Sequence, residues 1–226
     1  MSATLLTDLP PLAAPAEPAY GTAPDTPTMP ADASRAEMAP LDRALSQAPL
    51  GAFPLLEAAF GWQELRPSGW HRPAASTAIA QTSSPAAAAR LASLLSTLTW
   101  ANVVRTERDG LRVEVSAGAY NRITRALTGA WRSRTQLLAA APGVPDSRQA
   151  ALGVWRMAML TGGVDAHAGQ LTVRAGSPAA AQTLVAAAAL LGMPAVADRP
   201  REGGHPVRVT GRAQVYQLLT EATGQR

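Results

Sequence analysis

The 226-residue sequence contains no cysteine, no lysine and few aromatic residues. The lack of cysteine excludes a disulfide framework, a thiolate zinc site, an iron–sulfur cluster and a cysteine nucleophile. The lack of lysine excludes the phosphate-binding loop of nucleotide hydrolases, which needs that residue. The histidines, His71, His167 and His205, match no common metal-ligand spacing, so we expect no metal and no other cofactor.

The sequence also lacks a long hydrophobic run. No stretch reaches the roughly 18 consecutive apolar residues that would suggest a membrane-spanning helix. The N-terminus does not show the basic-then-apolar order of a secretory signal peptide. We therefore expect a cytoplasmic protein that has no membrane partner.

Every one of the 20 basic residues is an arginine, and these arginines are unevenly distributed. Residues 1–50 carry two arginines against six acidic residues, a balance of −4, whereas residues 51–226 carry 18 against 10, a balance of +8. The planar guanidinium binds phosphate through two parallel hydrogen bonds, so an arginine-rich body suits nucleic acid. A GC-rich genome would also explain the missing lysine, but it would not explain the uneven charge.

Residues 1–45 are rich in proline and alanine and poor in large apolar residues. Such a segment cannot bury enough surface to offset its ordering entropy, so the composition predicts a disordered acidic tail. The tail could compete weakly with polyanions for the basic body. A passive solubilising tail is the simpler interpretation.

An internal repeat is the most informative pattern in the remainder. Ser84–Ala88 recurs as Ser177–Ala181, and a short strand-like segment precedes each copy. Each copy continues through an alanine- and leucine-rich helix, two alternating strands and a closing helix that we expect to end at Gly129 or Gly224. The pattern predicts two repeats, at residues 50–129 and 146–226, joined by a linker at residues 130–145.

Local signals support these elements. Serine before proline is a strong helix start, because serine caps free N–H groups and proline fits the first helical position. Asp109-Gly110 and Glu202–Gly204 each separate two strand-like runs and indicate hairpins. Asp146 and Gln149 resemble a capping box, and the helix that follows ends at Gly162-Gly163.

Each repeat is also expected to begin with a helix and a short first strand. The helices are Pro54–Phe60 in the first copy and Asp146–Thr161 in the second. The first strands are Trp62–Leu65 and Val164–His167. Each repeat thus has the order αββαββα, and the predicted fold class is α+β.

This arrangement resembles the LAGLIDADG homing-endonuclease fold, and in particular its catalytically degenerate WhiA branch of bacterial DNA-binding regulators. The segments that carry the resemblance are Met157–Val164, Gly169–Ala175, Ser177-Pro178 and Leu191–Pro194. The resemblance covers about residues 50–226, and the second copy matches better than the first. Regulators of this family continue into a C-terminal helix-turn-helix domain, and this chain ends at Arg226, so we expect that domain to be missing.

The resemblance implies an architecture with pseudo-twofold symmetry. Each four-stranded sheet would have helices on one face, and the two opposite faces would form a saddle over duplex DNA. Active LAGLIDADG enzymes hold divalent metal with an acid at the end of each motif helix. Here those positions correspond to Phe60 and Gly162, and the acids nearby, Glu64 and Asp165, are displaced. We therefore expect no catalytic residue.

Strand alternation sorts the arginines. If the valines and leucines of the strands face the helices, Arg112, Arg174 and Arg208 point to the saddle. Arg105 and Arg108 would flank one hairpin tip, and Arg199 and Arg201 the other. In the linker, Trp131, Arg132 and Arg134 either contact DNA or pack the linker against the body. The candidate DNA-binding residues are Arg105, Arg108, Arg112, Arg132, Arg134, Arg174, Arg199, Arg201 and Arg208.

The sequence thus predicts a non-catalytic DNA-binding protein, a transcription regulator of WhiA type associated with the nucleoid. Double-stranded DNA is the expected partner, and a transcription or cell-division protein is a second. One alternative is a protein-interaction module on the same scaffold. Another is a residual metal-dependent nuclease that would depend on Asp165.

Overall fold

The computed structural model describes residues 31–66, 76–107, 110–139 and 144–224, with side chains from residue 39 onward. Within these ranges helices and two antiparallel sheets alternate, which confirms the α+β class. The first part of the chain forms α1 (Ala31–Gln47), α2 (Pro54–Leu65), β1 (Ser76–Thr82), α3 (Pro85–Ser96), β2 (Ala101–Arg105), β3 (Leu111–Ser116) and α4 (Ala117–Leu138). The second part forms α5 (Pro145–Gly162), β4 (Val164–His167), β5 (Gln170–Ala175), α6 (Pro178–Leu190), β6 (Ala195–Ala197), β7 (His205–Thr210) and α7 (Arg212–Thr223).

The two sheets repeat one topology. Sheet A has the order β1-β3-β2, and sheet B has the order β4-β5-β7-β6. Strands β1, β2 and β3 therefore correspond to β5, β6 and β7, and α3 and α4 correspond to α6 and α7. Among the described residues β4 has no counterpart in sheet A. The duplication that the sequence predicted is confirmed, and its second copy is the more regular.

The serine–proline helix starts form as predicted. The Ser84 hydroxyl accepts a hydrogen bond from the backbone N–H of Ala87 at 3.2 Å, and the Ser177 hydroxyl accepts one from Ala180 at the same distance. Each hydroxyl satisfies an N–H group that has no partner within the helix. These two caps fix where α3 and α6 leave their sheets.

Each sheet buries one face against helices. In β3 the fully buried side chains are Val113 and Val115, which pack toward α3 and α4. In β5 they are Leu171 and Val173, which pack toward α5 and α6. In the described part of the chain no helix combines the length and apolarity that a bilayer crossing needs.

Helices α2 and α5 form the spine between the two repeats. A Cβ built on Gly61 would lie 2.7 Å from Cγ of Met157, and one on Gly153 would lie 2.9 Å from a carboxylate oxygen of Glu57. These contacts advance by four residues on both helices, so α2 and α5 run side by side in the same direction. The two glycines allow an approach that a larger residue would prevent.

A buried ion cluster lies beside this contact. Glu57, Arg90 and Arg156 are each no more than 3% exposed. Glu57 accepts two hydrogen bonds from Arg90, at 2.7 and 3.1 Å, and one from Nη1 of Arg156 at 3.1 Å. One carboxylate from α2 therefore joins α3 of its own repeat to α5 of the other.

The cluster has one more positive charge than negative charge, and helix ends offset the excess. Arg90 donates to the backbone carbonyls of Ala48 and Pro49, just beyond α1. Arg156 donates from Nε to the carbonyl of Ala222 in the last turn of α7, at 2.7 Å. The C-terminal end of a helix carries partial negative charge, which favours a cation there. Burial lowers the pKa of the Arg156 guanidinium, while Glu57 acts in the opposite direction.

The structure corrects the predicted extent of the N-terminal tail. Helix α1 lies within the segment that was expected to be disordered up to residue 45. Leu45 is fully buried, and α1 contacts α3, α5 and α7. Leu41 and Leu45 are one helical turn apart and form an apolar face that the proline-rich average composition conceals. Residues 1–30 lie outside the described residues.

The predicted start of the linker at residue 130 is also wrong, because α4 continues through Gly129 to Leu138. Residues 140–143 of the predicted linker at residues 130–145 lie outside the described residues. Gly129 is exposed in mid-helix, and the buried Leu127 and Leu138 hold the helix against the core on either side of it. A glycine weakens a helix by only about 1 kcal/mol relative to alanine, so this packing is enough to keep the helix continuous.

Two smaller expectations are also wrong. Trp62–Leu65 forms the last turn of α2 instead of a strand, because Ala58, Trp62 and Leu65 share a buried helical face. The capping box does not form. Val144 occupies the N-cap position without a side-chain hydrogen bond, and Pro145 is the first helical residue.

We predict that Glu57→Gln destabilises the protein strongly. The substitution leaves two buried guanidinium groups without a carboxylate, and breaking a buried ion pair in this way costs about 3–5 kcal/mol. Urea denaturation of the purified chain measures the loss. Glu107→Gln, at an exposed position, serves as the control and should change the free energy of unfolding by less than about 0.5 kcal/mol. Equal stability of the two variants would contradict the role assigned to the cluster.

Candidate nucleic-acid interface

The faces of the two sheets opposite the helices, here called the open faces, carry three of the predicted arginines. In sheet A, Arg112 lies opposite Gln81 on β1 and Val104 on β2, on the side away from the buried Val113. In sheet B, Arg208 lies opposite Thr172 on β5, and Arg174 lies opposite Pro206 on β7. Directly opposed residues of antiparallel strands share a face. The strand register therefore places all three side chains as the alternation predicted.

These arginines differ in how they are paired. Arg208 donates from Nη2 to Asp198 at 3.0 Å, an ion pair that is partly exposed. Among the described residues neither Arg112 nor Arg174 has an acidic partner. Nε of Arg112 is buried and has no hydrogen-bond partner in the described part of the chain. Arg112 and Arg174 therefore keep more of their charge available to a ligand than Arg208 does.

The open faces also carry acids. Glu114 lies on the same face as Arg112 and accepts a hydrogen bond from Ser76 at 2.5 Å. Asp165 lies opposite Thr172 on the open face of sheet B and is exposed. The charge of the open faces is therefore mixed, a feature that the net charge of the sequence did not reveal.

The tip of the β6–β7 hairpin forms as predicted. Arg201 and Gly204 exchange backbone hydrogen bonds at 3.0 Å, and Gly203 and Gly204 adopt φ values of 94° and 124° that only glycine tolerates readily. Arg199 and Arg201 are exposed at this tip together with Glu202.

The tip of the β2–β3 hairpin is described only in part. Arg105 is exposed at the end of β2, opposite Leu111, and by register it leans toward the helical side of sheet A. Arg108 and Asp109 lie outside the described residues.

Arg132 and Arg134, which the sequence placed in the linker, lie on α4 in different environments. Arg134 donates from Nε to Thr183 at 3.0 Å and from Nη1 to the carbonyl of Trp131, and its guanidinium stacks 4.1 Å from the centre of the Trp131 ring. Trp131 in turn packs edge-on against Phe60. Trp131 and Arg134 are thus packing residues that join α4 to α6, whereas Arg132 is exposed.

Gly162 and Phe60, the positions that the resemblance matches to catalytic acids, are both closely packed. A Cβ built on Gly162 would lie 1.7 Å from the carbonyl oxygen of Arg174, so no side chain fits there without a backbone shift. Phe60 is fully buried in the middle of α2. The described residues contain no group of three or more acids and histidines that could hold a metal ion.

Glu64 lies four residues after Phe60 in the first repeat, and its side chain contacts the second repeat. Its carboxylate accepts a hydrogen bond from the backbone N–H of Gly176 at 2.5 Å. Burial raises the pKa of Glu64, and the Gly176 hydrogen bond and the charge of His205 oppose this shift. Glu64 therefore holds α2 against the turn between β5 and α6. The other nearby acid, Asp165, stands apart on β4.

Two exposed arginines on α4, Arg122 and Arg125, escaped the sequence reasoning. The alternation argument covered only strands, and the faces of the closing helices were not assigned. The available signal was that residues 117–138 contain four arginines and no acid.

We predict that Glu64→Gln becomes more stable relative to the native protein as the pH rises. The folded-state pKa of Glu64 lies above the ordinary value of 4.5, so the folded chain binds more protons than the unfolded chain between these two values. The native protein therefore loses stability as the pH rises through this window, whereas glutamine stays neutral. Urea denaturation from acidic to neutral pH should show the variant gaining stability relative to the native protein. A difference that is constant, or that falls with rising pH, would contradict the role of burial.

Comparison with solved structures finds this fold in two crystal structures of DUF199/WhiA. The N-terminal LAGLIDADG domain of DUF199/WhiA matches with a TM-score of 0.51 and 12% identity, over 83% of this chain and 89% of that domain. Full-length DUF199/WhiA from Thermatoga maritima matches with a TM-score of 0.56 and 12% identity, over 83% of this chain.

The chain spans 61% of the length of that full-length protein. No protein-family model matches the sequence, and no curated protein does. At 12% identity the likeness is one of fold. The fold of this chain is therefore the WhiA-like LAGLIDADG fold.

Proposed function

We propose that this chain is a non-catalytic DNA-binding protein of WhiA type that acts in transcription regulation at the nucleoid. The observation that carries the proposal is the strand register, which puts Arg112, Arg174 and Arg208 on the open faces of a duplicated LAGLIDADG-like scaffold. The solved structures with this fold include the LAGLIDADG domain of WhiA. A paired-sheet surface with arginines from both halves suits a ligand that presents phosphates along two strands.

The chemistry of these arginines favours the DNA backbone. Guanidinium groups bind phosphate oxygens through charged hydrogen bonds, and such contacts position a protein on the duplex without reading its sequence. Arg199 and Arg201 at the β6–β7 tip extend this surface at one end of sheet B. The acids Glu114 and Asp165 would repel phosphate, so they limit where the backbone can lie.

The proposal that the chain does not cleave DNA rests on the motif-helix positions. A metal-binding carboxylate cannot be placed at Gly162 because of the Arg174 carbonyl, and Glu64 is engaged by Gly176. Incubation of supercoiled plasmid with the protein and magnesium should leave the plasmid intact. Cleavage that Asp165→Asn abolishes would instead establish the residual nuclease.

A protein-interaction module is the second candidate. The mixed charge of the open faces favours it, as does Val196, which is 57% exposed on the open face of sheet B beside Arg208. A protein partner would cover such an apolar side chain, and a phosphate backbone would not. Failure of the chain to bind duplex DNA even at low salt would favour this candidate.

We predict that Arg112→Gln with Arg174→Gln weakens duplex binding and its salt dependence. Each phosphate contact contributes about 0.9 to the slope of log K against log salt concentration, so the double variant should lower its magnitude by about 2. Fluorescence anisotropy of a labelled duplex over a range of salt concentrations measures the slope. Arg208→Gln should have a smaller effect, because Asp198 already pairs with that arginine.

A matched control removes two arginines far from the open faces. Arg43 on α1 and Arg148 on α5 lie in the helical layer, and Arg148 is paired with Glu221 at 2.6 Å. The Arg43→Gln, Arg148→Gln variant has the same net charge as the test variant. If control and test variants lower the slope equally, the arginines of the open faces are not the contact site.

A further inference from the structure

We propose that α4 carries a second binding surface for the phosphate backbone of duplex DNA, separate from the open faces. The inference rests on the proposed function for the identity of its ligand. The surface, here called the α4 stripe, consists of Gly118, Arg122, Arg125, Gly129, Arg132 and Gln136.

The α4 stripe follows from helical spacing. Its members recur at alternating intervals of four and three residues, so they lie within one narrow face of the helix. All six are exposed. The buried residues Ala119, Ile123 and Leu127 lie on the opposite side of α4.

The charge of the α4 stripe is uncompensated, unlike that of the open faces. Helix α4 has no acidic residue, and within the described residues none of Arg122, Arg125 and Arg132 has an ion-pair partner. Like charges one turn apart destabilise a helix, and glycine in mid-helix does so too. Both features occur here at exposed positions that make no packing contact with the core.

The space around the two glycines of the α4 stripe is open. A Cβ built on Gly118 or on Gly129 would meet no atom within 4 Å. From Arg122 to Arg132 the helix rises about 15 Å at about 1.5 Å per residue. Duplex DNA carries one charge per roughly 1.7 Å of its axis when both strands are counted, so a stretch of this length contains about nine phosphates around its circumference, and those on the facing side lie within reach of the three guanidinium groups.

The composition of the α4 stripe favours phosphate over a protein or a lipid surface. Protein interfaces have an apolar centre, and interfacial helices insert large apolar side chains into the membrane. Among the described residues the large apolar side chains that are exposed all lie elsewhere: Leu50, Leu98, Trp100, Val144, Val196 and Tyr216. A surface made only of arginine, glycine and glutamine suits a hydrophilic polyanion.

The α4 stripe and the open faces cannot reach the same straight duplex. The buried side of α4 contacts β1 and β3 from the helical side of sheet A, so the stripe points away from the open face of that sheet. DNA has a persistence length of about 150 base pairs, so a duplex of a dozen base pairs remains straight. We therefore expect one chain to bind two short duplexes, one on each surface.

The test compares two triple variants of the full chain with the native protein. One variant is Arg122→Gln, Arg125→Gln, Arg132→Gln, and its match, with the same net charge, is Arg112→Gln, Arg174→Gln, Arg208→Gln. Glutamine is nearly as good a helix former as arginine, so the α4 variant should keep the native melting temperature. The measurements are the number of short labelled duplexes bound per chain, by sedimentation, and the salt slope, by anisotropy.

The expected result is two duplexes on the native chain and one on each triple variant. For the α4 variant we also expect the remaining duplex to bind with the salt slope of the open-face site, whereas the duplex that remains on the open-face variant should show the slope of about three phosphate contacts, a magnitude of about 2.7. A native stoichiometry of one, lost in the open-face variant and unchanged in the α4 variant, would overturn the inference and leave the proposed function standing. A stoichiometry of one that only the α4 variant loses would overturn the inference of a second surface, and it would place the single duplex site on α4 instead of the open faces. Absence of duplex binding by the native chain at low salt would overturn both.

Discussion

The buried cluster of Glu57, Arg90 and Arg156 is the constraint on which the arrangement of the two repeats depends. It places one carboxylate between two guanidinium groups in the centre of the molecule, where water cannot screen them. An isolated charge at such a site is strongly unfavourable, so each partner fixes the positions of the others. The remaining donors bind carbonyls beyond α1 and within α7, and the cluster therefore sets the positions of five helices at once. Gly153 is part of the same constraint, because it lets the Glu57 side chain lie against α5.

Next to this cluster, two glycines allow the backbone of α2 and of α5 to pack closely against neighbouring elements. Gly61 admits Met157 at the α2–α5 contact, and Gly162 admits the carbonyl of Arg174. The second approach has a functional consequence, because a side chain at the end of α5 would displace strand β5. The end of α5 is thus used for packing, and Glu64 holds the two repeats together through Gly176. Both contacts stabilise the arrangement of α2 and α5 against sheet B.

Charge is distributed differently from what the composition suggested. The basic body has arginines on its open faces, but acids share those faces, and Asp198 pairs with Arg208. The two buried arginines of the cluster are paired with Glu57 and lie below the surface, so they cannot contact a ligand there. Helix α4 carries three exposed arginines, Arg122, Arg125 and Arg132, and no acid lies on that helix. Electrostatic attraction of a polyanion depends on the local balance of charge and not on the net charge of the chain.

The sequence by itself determined the duplication, the serine-capped helix starts, the second hairpin tip and the faces of β3, β5 and β7, because these depend on local patterns of residues that are close together in the chain. Period-two alternation was enough to assign Arg112, Arg174 and Arg208 to the open faces. Only the tertiary structure decided that α1 packs on the core, that α4 passes through Gly129, that Trp62–Leu65 is helical and that Arg134 is a packing residue. In each of these cases the deciding contact joins residues far apart in sequence, and the burial it provides outweighs the local preference of the segment. The same reason explains the ion cluster, whose members are separated by up to 99 residues and carry no local signal of their pairing.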